Sequence, residues 1–249
     1  MKFSMSNLIP AAIFFLLLTG CGGGGGSDAM APANTTFPLQ KSINNLNTAG
    51  FQKTVSASGT VSLIGISTPF TASLQVTESP SVSTSFAGHQ ALQNNISILF
   101  LGQLNIKNQA PITLASNYID NATTYIASDY TVLGSTSSNS YCIAKTSGQY
   151  PATVSIGQTG SVVTFTCQSS STDATPTGTE TISYVVSAGT SSTTATVAIQ
   201  DVVFNAANQQ TTSIETDYLI DTAGNITSLS VKVSVSEVVG GIPLNFTAQ

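Results

Sequence analysis

From residue 53 onward, apolar and polar positions alternate in short runs. Val55, Ala57, Gly59, Val61 and Leu63 fall on one face of an extended segment. Phe70, Ala72, Leu74 and Val76 do the same after the break at Ser67-Thr68-Pro69. A period of two is the signature of a strand with one buried face. Pro80 and the segment up to Gln93 read as an interruption. Ile96, Ile98 and Phe100, then Leu104 and Ile106, predict a hairpin around Gly102-Gln103. Ile112, Leu114 and Tyr118 open another strand, expected to turn at Asp120-Asn121-Ala122 and to return through Tyr125 to Leu133.

The stretch 134–168 reads differently: a polar loop at 134–140, a short strand at 141–145, a loop at 150–160 and a strand at 162–168. Three long strands are predicted at 179–186, 193–205 and 211–220. Residues 221–225 form a turn, 226–235 a returning strand, and 242–246 a last edge strand. In the entry segment 37–52, Ile43 and Leu46 have helical spacing, enough for one short turn. Regularly spaced strands with turn residues between them predict an all-β domain over 37–249: an antiparallel meander forming a sandwich or a partly open barrel.

Two stretches look alike. Asn108-Gln109 and Asn208-Gln209 each precede a tyrosine, Tyr118 and Tyr218, and then an acid, Asp120 or Asp221. The segments 53–133 and 178–246 therefore read either as copies of one meander joined by 134–177, or as chance similarity in a Ser/Thr-rich chain.

Composition narrows the function classes. Charged residues are 7% of the chain, and the net charge is −5, against about 25% charged in an ordinary domain. An acidic chain with no Lys/Arg cluster repels phosphate backbones, so nucleic acid is excluded as a partner. Abundant Thr, Val and Ile favour strands.

The N-terminus carries the strongest motif. Lys2 precedes an apolar run at 8–18, broken by Pro10 and shorter than the roughly 20 residues of a membrane span. It leads into Leu18-Thr19-Gly20-Cys21 and then Gly22 to Gly26. This resembles the lipobox of bacterial lipoproteins. The resemblance implies that 1–20 is a signal peptide and that Cys21 receives a diacylglycerol and becomes the first mature residue. Residues 21–36 then form a flexible tether reaching about 20 Å from the bilayer. Gly22 is not the aspartate that resembles an inner-membrane retention signal, so the implied location is the cell envelope at the outer membrane, facing periplasm or exterior. Tyr-Thr-Val-Leu-Gly (130–134), Ser-Tyr-Cys (140–142), Tyr-Pro-Ala-Thr-Val-Ser-Ile-Gly (150–157) and Gly-Thr-Glu-Thr-Ile-Ser-Tyr-Val-Val (178–186) are similar to segments of anchored all-β lipoproteins of Gram-negative bacteria, a likeness that transfers no activity.

With Cys21 as the lipid site, Cys142 and Cys167 remain as an even pair in an oxidising compartment. They read as a structural disulfide closing a loop of about 26 residues, worth roughly 3–3.5 kcal/mol. A redox or metal pair is the alternative, although redox cysteines usually sit two residues apart and zinc needs further Cys or His ligands.

Catalytic constellations are scarce. His89, the single histidine, reads as a solvated loop residue. Neither Gly-x-Ser-x-Gly nor Ser-x-x-Lys occurs. Glu215 and Asp217 share a strand face, with Asp221 in the adjoining turn. A glycosidase would want aromatic walls around such a pair, and the chain has no Trp. Calcium needs six or more oxygens, and 221–225 offers few, so a hairpin turn with Gly224 or Asn225 at positive φ is the simpler reading. No catalytic residue, metal or cofactor is expected. The function expected is a non-enzymatic, membrane-anchored structural or binding domain, with the membrane as partner through the anchor and an envelope protein or an apolar ligand as the further partner. A carrier for a lipid or other apolar ligand in a β-cup cavity is the alternative.

Overall fold

The computed structural model describes residues 35–63, 66–106, 118–235 and 244–248. In chain order these form β1 (Thr36–Phe37), α1 (Leu39–Ala49), β2 (Phe51–Leu63), β3 (Ile66–Glu78), β4 (Val82–Phe86), β5 (His89–Ile106), β6 (Tyr118–Ile126) and β7 (Thr131–Thr136). There follow β8 (Tyr141–Gln149), β9 (Val154–Ser155), β10 (Thr159–Gln168), β11 (Pro176–Ala188), β12 (Thr194–Asn205), β13 (Gln210–Asp221), β14 (Ile226–Val235) and β15 (Leu244–Ala248).

The strands pair antiparallel in the order β2-β3-β5-β6-β7-β8-β10-β11-β12-β13-β14-β15, and β15 pairs back onto β2. The result is a closed barrel of 12 strands. The all-β, antiparallel expectation holds, and of the sandwich and barrel forms expected it is the barrel that is found, closed rather than partly open. The last strand, expected at an edge, is the closing stave: Phe246 lies opposite Val233 on one side and Gly59 on the other. Closure pairs β2 and β15, which would otherwise be the two edges of the sheet. β4 is an extra strand that continues along β5 where β3 stops, and β1 pairs with β9 in a small second sheet.

Alternation decides which face turns inward. In β2, Val55, Ala57 and Val61 are buried, while Gln52, Thr54, Ser56, Ser58 and Thr60 are exposed. This is the reverse of a lipid-facing barrel, whose outer band is apolar. Two apolar clusters fill the interior. One gathers β2, β3, β5, β14 and β15 around Phe70, Phe100 and Phe246, with ring centroids 5.7–6.1 Å apart. The other gathers β7, β8 and β10–β13 around Phe165, together with Phe37, Leu39 and Ile43 from the entry segment. Tyr218 packs against both.

Several expected turns are displaced. β5 continues through Gly102-Gln103, because β3 pairs with it on both sides of that point, at Leu101 and at Asn105. Asp120-Asn121-Ala122 lies inside β6, opposite Ile98, Ser97 and Ile96. The chain turns instead at 127–130, where Asp129 Oδ1 accepts the Thr131 N–H (3.0 Å) and Tyr130 takes a positive φ. The two matching motifs thus part company, since Asp120 is within a strand and Asp221 heads a turn. β7 extends into the expected loop as far as Thr136. Ile112 and Leu114 lie outside the described residues.

The interruption at 80–93 conceals a tight hairpin. Ala87 and Gly88, with φ of 49° and 84°, turn the chain between Phe86 and His89. Two positive φ values suit the right-handed twist of the flanking strands. His89 is exposed, as expected of a solvated residue, but it opens β5 rather than sitting in a loop.

The hairpin lays Phe86 on the outer face of Gly134, between Tyr125 (centroids 4.2 Å) and Tyr141 (5.1 Å). A Cβ at Gly134 would lie 2.4 Å from the Phe86 ring and 2.3 Å from the Cys142 carbonyl oxygen. Gly134→Ala should therefore cost about 1–3 kcal/mol. Urea unfolding would register this as a lowered midpoint with unchanged slope.

Candidate functional site

The residues that close one mouth of the barrel come from α1. Leu39, Ile43 and Leu46, spaced for one helical face, are buried, and Ser42 lies with them. One short helical turn was expected; the helix runs 11 residues. A helix this short is marginal by itself and is held by its apolar face on the barrel. Its polar face is stitched to the rim at three places. Gln40 Nε2 donates to the Tyr150 carbonyl oxygen (2.9 Å), and Asn45 Nδ2 to that of Gly224 (3.1 Å). The Ser81 N–H donates to the Asn47 carbonyl oxygen (2.7 Å), as does its hydroxyl (3.0 Å).

Beneath α1 lies a cavity of about 140 Å³ between the two apolar clusters. Ile43 and Leu46 form its roof. Inward rows of β3, β5, β6, β11, β12, β13 and β14 form its walls, with Val76, Ile96, Ile98, Ile126, Ile182, Ile199, Ile214 and Leu229 as the apolar part. The polar part is dominated by acceptors: Glu78 at the end of β3, Asn94 on β5, Glu180 on β11 and Asp201 on β12. Ser135, Thr124, Thr216, Tyr150 and Tyr218 add hydroxyl groups. Among the described residues, no Lys, Arg or His lines the cavity.

Burial sets the electrostatics. Glu78 is 8% exposed. Desolvation pushes its pKa up to about 7, against the pull of a hydrogen bond from Asn94. Asn94 is 2% exposed; its Nδ2 donates to the Ser79 carbonyl oxygen (2.8 Å), and its Oδ1 has no partner. Ser135 Oγ donates to Glu180 Oε2 (2.8 Å). Burial raises the Tyr150 and Tyr218 phenols well above their ordinary range. The carboxylates reinforce this, Asp201, Glu78 and Glu180 at Tyr150 and Glu78 at Tyr218. Both phenols stay neutral.

The Cys142–Cys167 disulfide is present, joining directly opposed residues of β8 and β10 with Cα atoms 4.0 Å apart. A Glu180 oxygen lies within 4.8 Å of both sulfurs. Bonded to each other, the sulfurs offer no thiolate to a metal ion.

The acids singled out from sequence stand elsewhere. Glu215 and Asp217 do share a face of β13, but it is the outer one, where Lys232 of β14 bridges them (Nζ to Asp217 Oδ2 3.1 Å) and Gln200 Nε2 donates to Glu215 (2.7 Å). The Lys232 contact, then Gln200, holds the Glu215 carboxyl below its usual range. Asp221 spends its oxygens on its own turn, accepting the N–H groups of Ala223 (2.9 Å) and Asn225 (2.8 Å) and the Asn225 side chain (2.9 Å), with Gly224 at φ 86°. Cys21 lies outside the described residues.

Sequence reasoning missed Glu78, Asn94, Glu180 and Asp201 as a group. A signal was present, because each acid sits in phase with an apolar row: Glu78 with Leu74 and Val76, Glu180 with Ile182 and Tyr184, Asp201 with Val197 and Ile199. A charge on the buried parity of a strand is costly, and so informative.

No protein family model, curated protein or solved structure matches this chain.

Proposed function

We propose that this chain is a lipid-anchored protein of the bacterial envelope whose barrel holds a small ligand under α1 and performs no chemistry on it. The observation that carries this reading is the cavity itself. It is roofed by a helix, walled mainly by apolar side chains, and given a few inward polar groups, which is the usual make-up of a ligand pocket. A cavity near 150 Å³ takes a molecule of about benzene size. A volume of about 140 Å³ therefore favours a compact ligand over a long-chain lipid, and narrows the carrier alternative accordingly. Absence of catalysis is supported by the lining. Ser135 faces a carboxylate with no imidazole to relay its proton. Outer-membrane attachment rests on Leu18-Thr19-Gly20-Cys21, with the polar outer face suited to a barrel held clear of lipid.

Native mass spectrometry of the full-length protein isolated from its membranes tests both halves. The expected result is a chain beginning at Cys21 that carries diacylglycerol, together with a small molecule lost on collisional activation. Cys21→Ser should accumulate as an uncleaved, unacylated precursor. Normal processing of that variant would overturn the anchor, and an empty barrel that takes up no small apolar compound would overturn the carrier.

A further inference from the structure

The cavity beneath α1 leaves one interior polar atom unanswered. Asn94, on the inward row of β5, is 2% exposed, and its Oδ1 faces this space without a hydrogen-bond partner. The nitrogen of the same amide is already engaged, by the Ser79 carbonyl oxygen (2.8 Å) and by Glu78. Turning the amide over would set Oδ1 against the Ser79 carbonyl oxygen, so its orientation is fixed. The hydroxyls of the wall do not reach it, and the Ser135 proton goes to Glu180 (2.8 Å). A buried acceptor without a donor is costly. The charged groups around the cavity, by contrast, are engaged. Glu180 and Asp201 both have partners. Lys53, on the inward row of β2, donates to the Leu229 carbonyl oxygen (3.4 Å), which places a positive charge at that wall. What the interior lacks is therefore a neutral donor and not a countercharge. The adjoining inward positions, Ile96 and Ile98 on β5 and Ile126 on β6, are apolar.

We propose that the ligand of this cavity is a small neutral alcohol, with an apolar body of about benzene size lying against those isoleucines and its hydroxyl donating to Asn94 Oδ1. One O–H answers the one acceptor, and the body fits a volume of about 140 Å³. An anion would meet the acids of the wall, and a cation would have to displace the partners those acids hold. The inference rests on the carrier reading, and its test separates the two.

Calorimetric titration of the full chain compares benzyl alcohol with anisole, its isomer, which holds the oxygen in an ether and has no O–H to give. Benzylammonium adds a charge to the same ring. The comparison is made at pH 8, above the Glu78 pKa of about 7, where that carboxyl has largely lost the proton it could offer Oδ1. Benzyl alcohol should bind about fivefold more tightly than anisole, and benzylammonium no more tightly than the alcohol. Asn94→Leu removes the acceptor and keeps the bulk, so alcohol and ether should then bind alike. Asn95→Leu, at the exposed neighbouring position whose Oδ1 accepts from Thr123 (2.8 Å), should leave the preference intact. Should Asn94→Leu misfold, the carbon-13 resonance of the Asn94 side-chain carbonyl serves in the parent, where it should move with benzyl alcohol and stay in place with anisole. Equal affinity for alcohol and ether, an unmoved resonance, or tighter binding of benzylammonium would overturn the neutral alcohol while leaving a carrier of another ligand standing. Binding of none of the three would overturn the carrier as well.

Discussion

Replacing both Cys142 and Cys167 by alanine should lower the unfolding free energy by about 3.5 kcal/mol. The bridge closes a loop with a sequence separation of 25, and in the chain-entropy account that is the freedom it removes from the unfolded chain. The folded state should change little. β8 and β10 are already paired at Phe165–Ala144, Thr166–Ile143 and Gln168–Tyr141. Alanine leaves only a small void among Val163, Phe165 and Ile182. The loss should therefore appear as a lower urea midpoint at constant slope, with native circular dichroism retained. The effect reaches the cavity, because the enclosed loop contains β9, which holds β1 and so the start of α1. Faster backbone amide exchange at Ile43 and Leu46 should accompany the loss. A double variant as stable as the parent would mean that the unfolded chain is already compact between these two positions.

Glu78→Gln should make the protein more stable at pH 8 and equally stable at pH 4. The sign follows from the raised pKa. Below about 4.5, the ordinary value, Glu78 is protonated in folded and unfolded chains alike. Between 4.5 and about 7 the unfolded chain gives up the proton while the folded chain keeps it. Stability therefore falls as pH rises across that window and levels off above it. At about 1.4 kcal/mol per tenfold change in proton affinity, the total is about 3 kcal/mol. Glutamine keeps the shape, removes the titration and so removes the fall. Urea midpoints for both chains from pH 4 to pH 8 should diverge steadily and become parallel above 7. Parallel curves throughout would show that Glu78 ionises in the folded state as it does in water.

The strands of the C-terminal half were the most legible part of the fold. β11 to β14 fall close to their expected limits because each carries an unbroken period of two and ends in strong turn chemistry, such as Asp221 with Gly224. The turns at Gly102 and Asp120 were misread for the same physical reason. Gly and Asp permit a turn without requiring one, and pairing with β3 beside Gly102 and with β5 at Asp120 outweighed that local preference. The disulfide was legible once Cys21 was set aside as the lipid site, because the two remaining cysteines make an even pair.

By itself the sequence determined the chemistry of each strand face, the all-β class, the cysteine pair and the lipobox-like start, all of which depend on residues close along the chain or on composition. The tertiary structure alone decided that β15 closes on β2, that α1 seals the mouth, and that Glu78, Asn94, Glu180 and Asp201 meet. Glu78 and Asn94 stand on neighbouring strands, as do Glu180 and Asp201, but the two pairs come from distant parts of the chain. Their meeting depends on the number and register of the staves between them, which alternation does not encode. Period two says that Glu78 points inward; only closure of the barrel says what it faces.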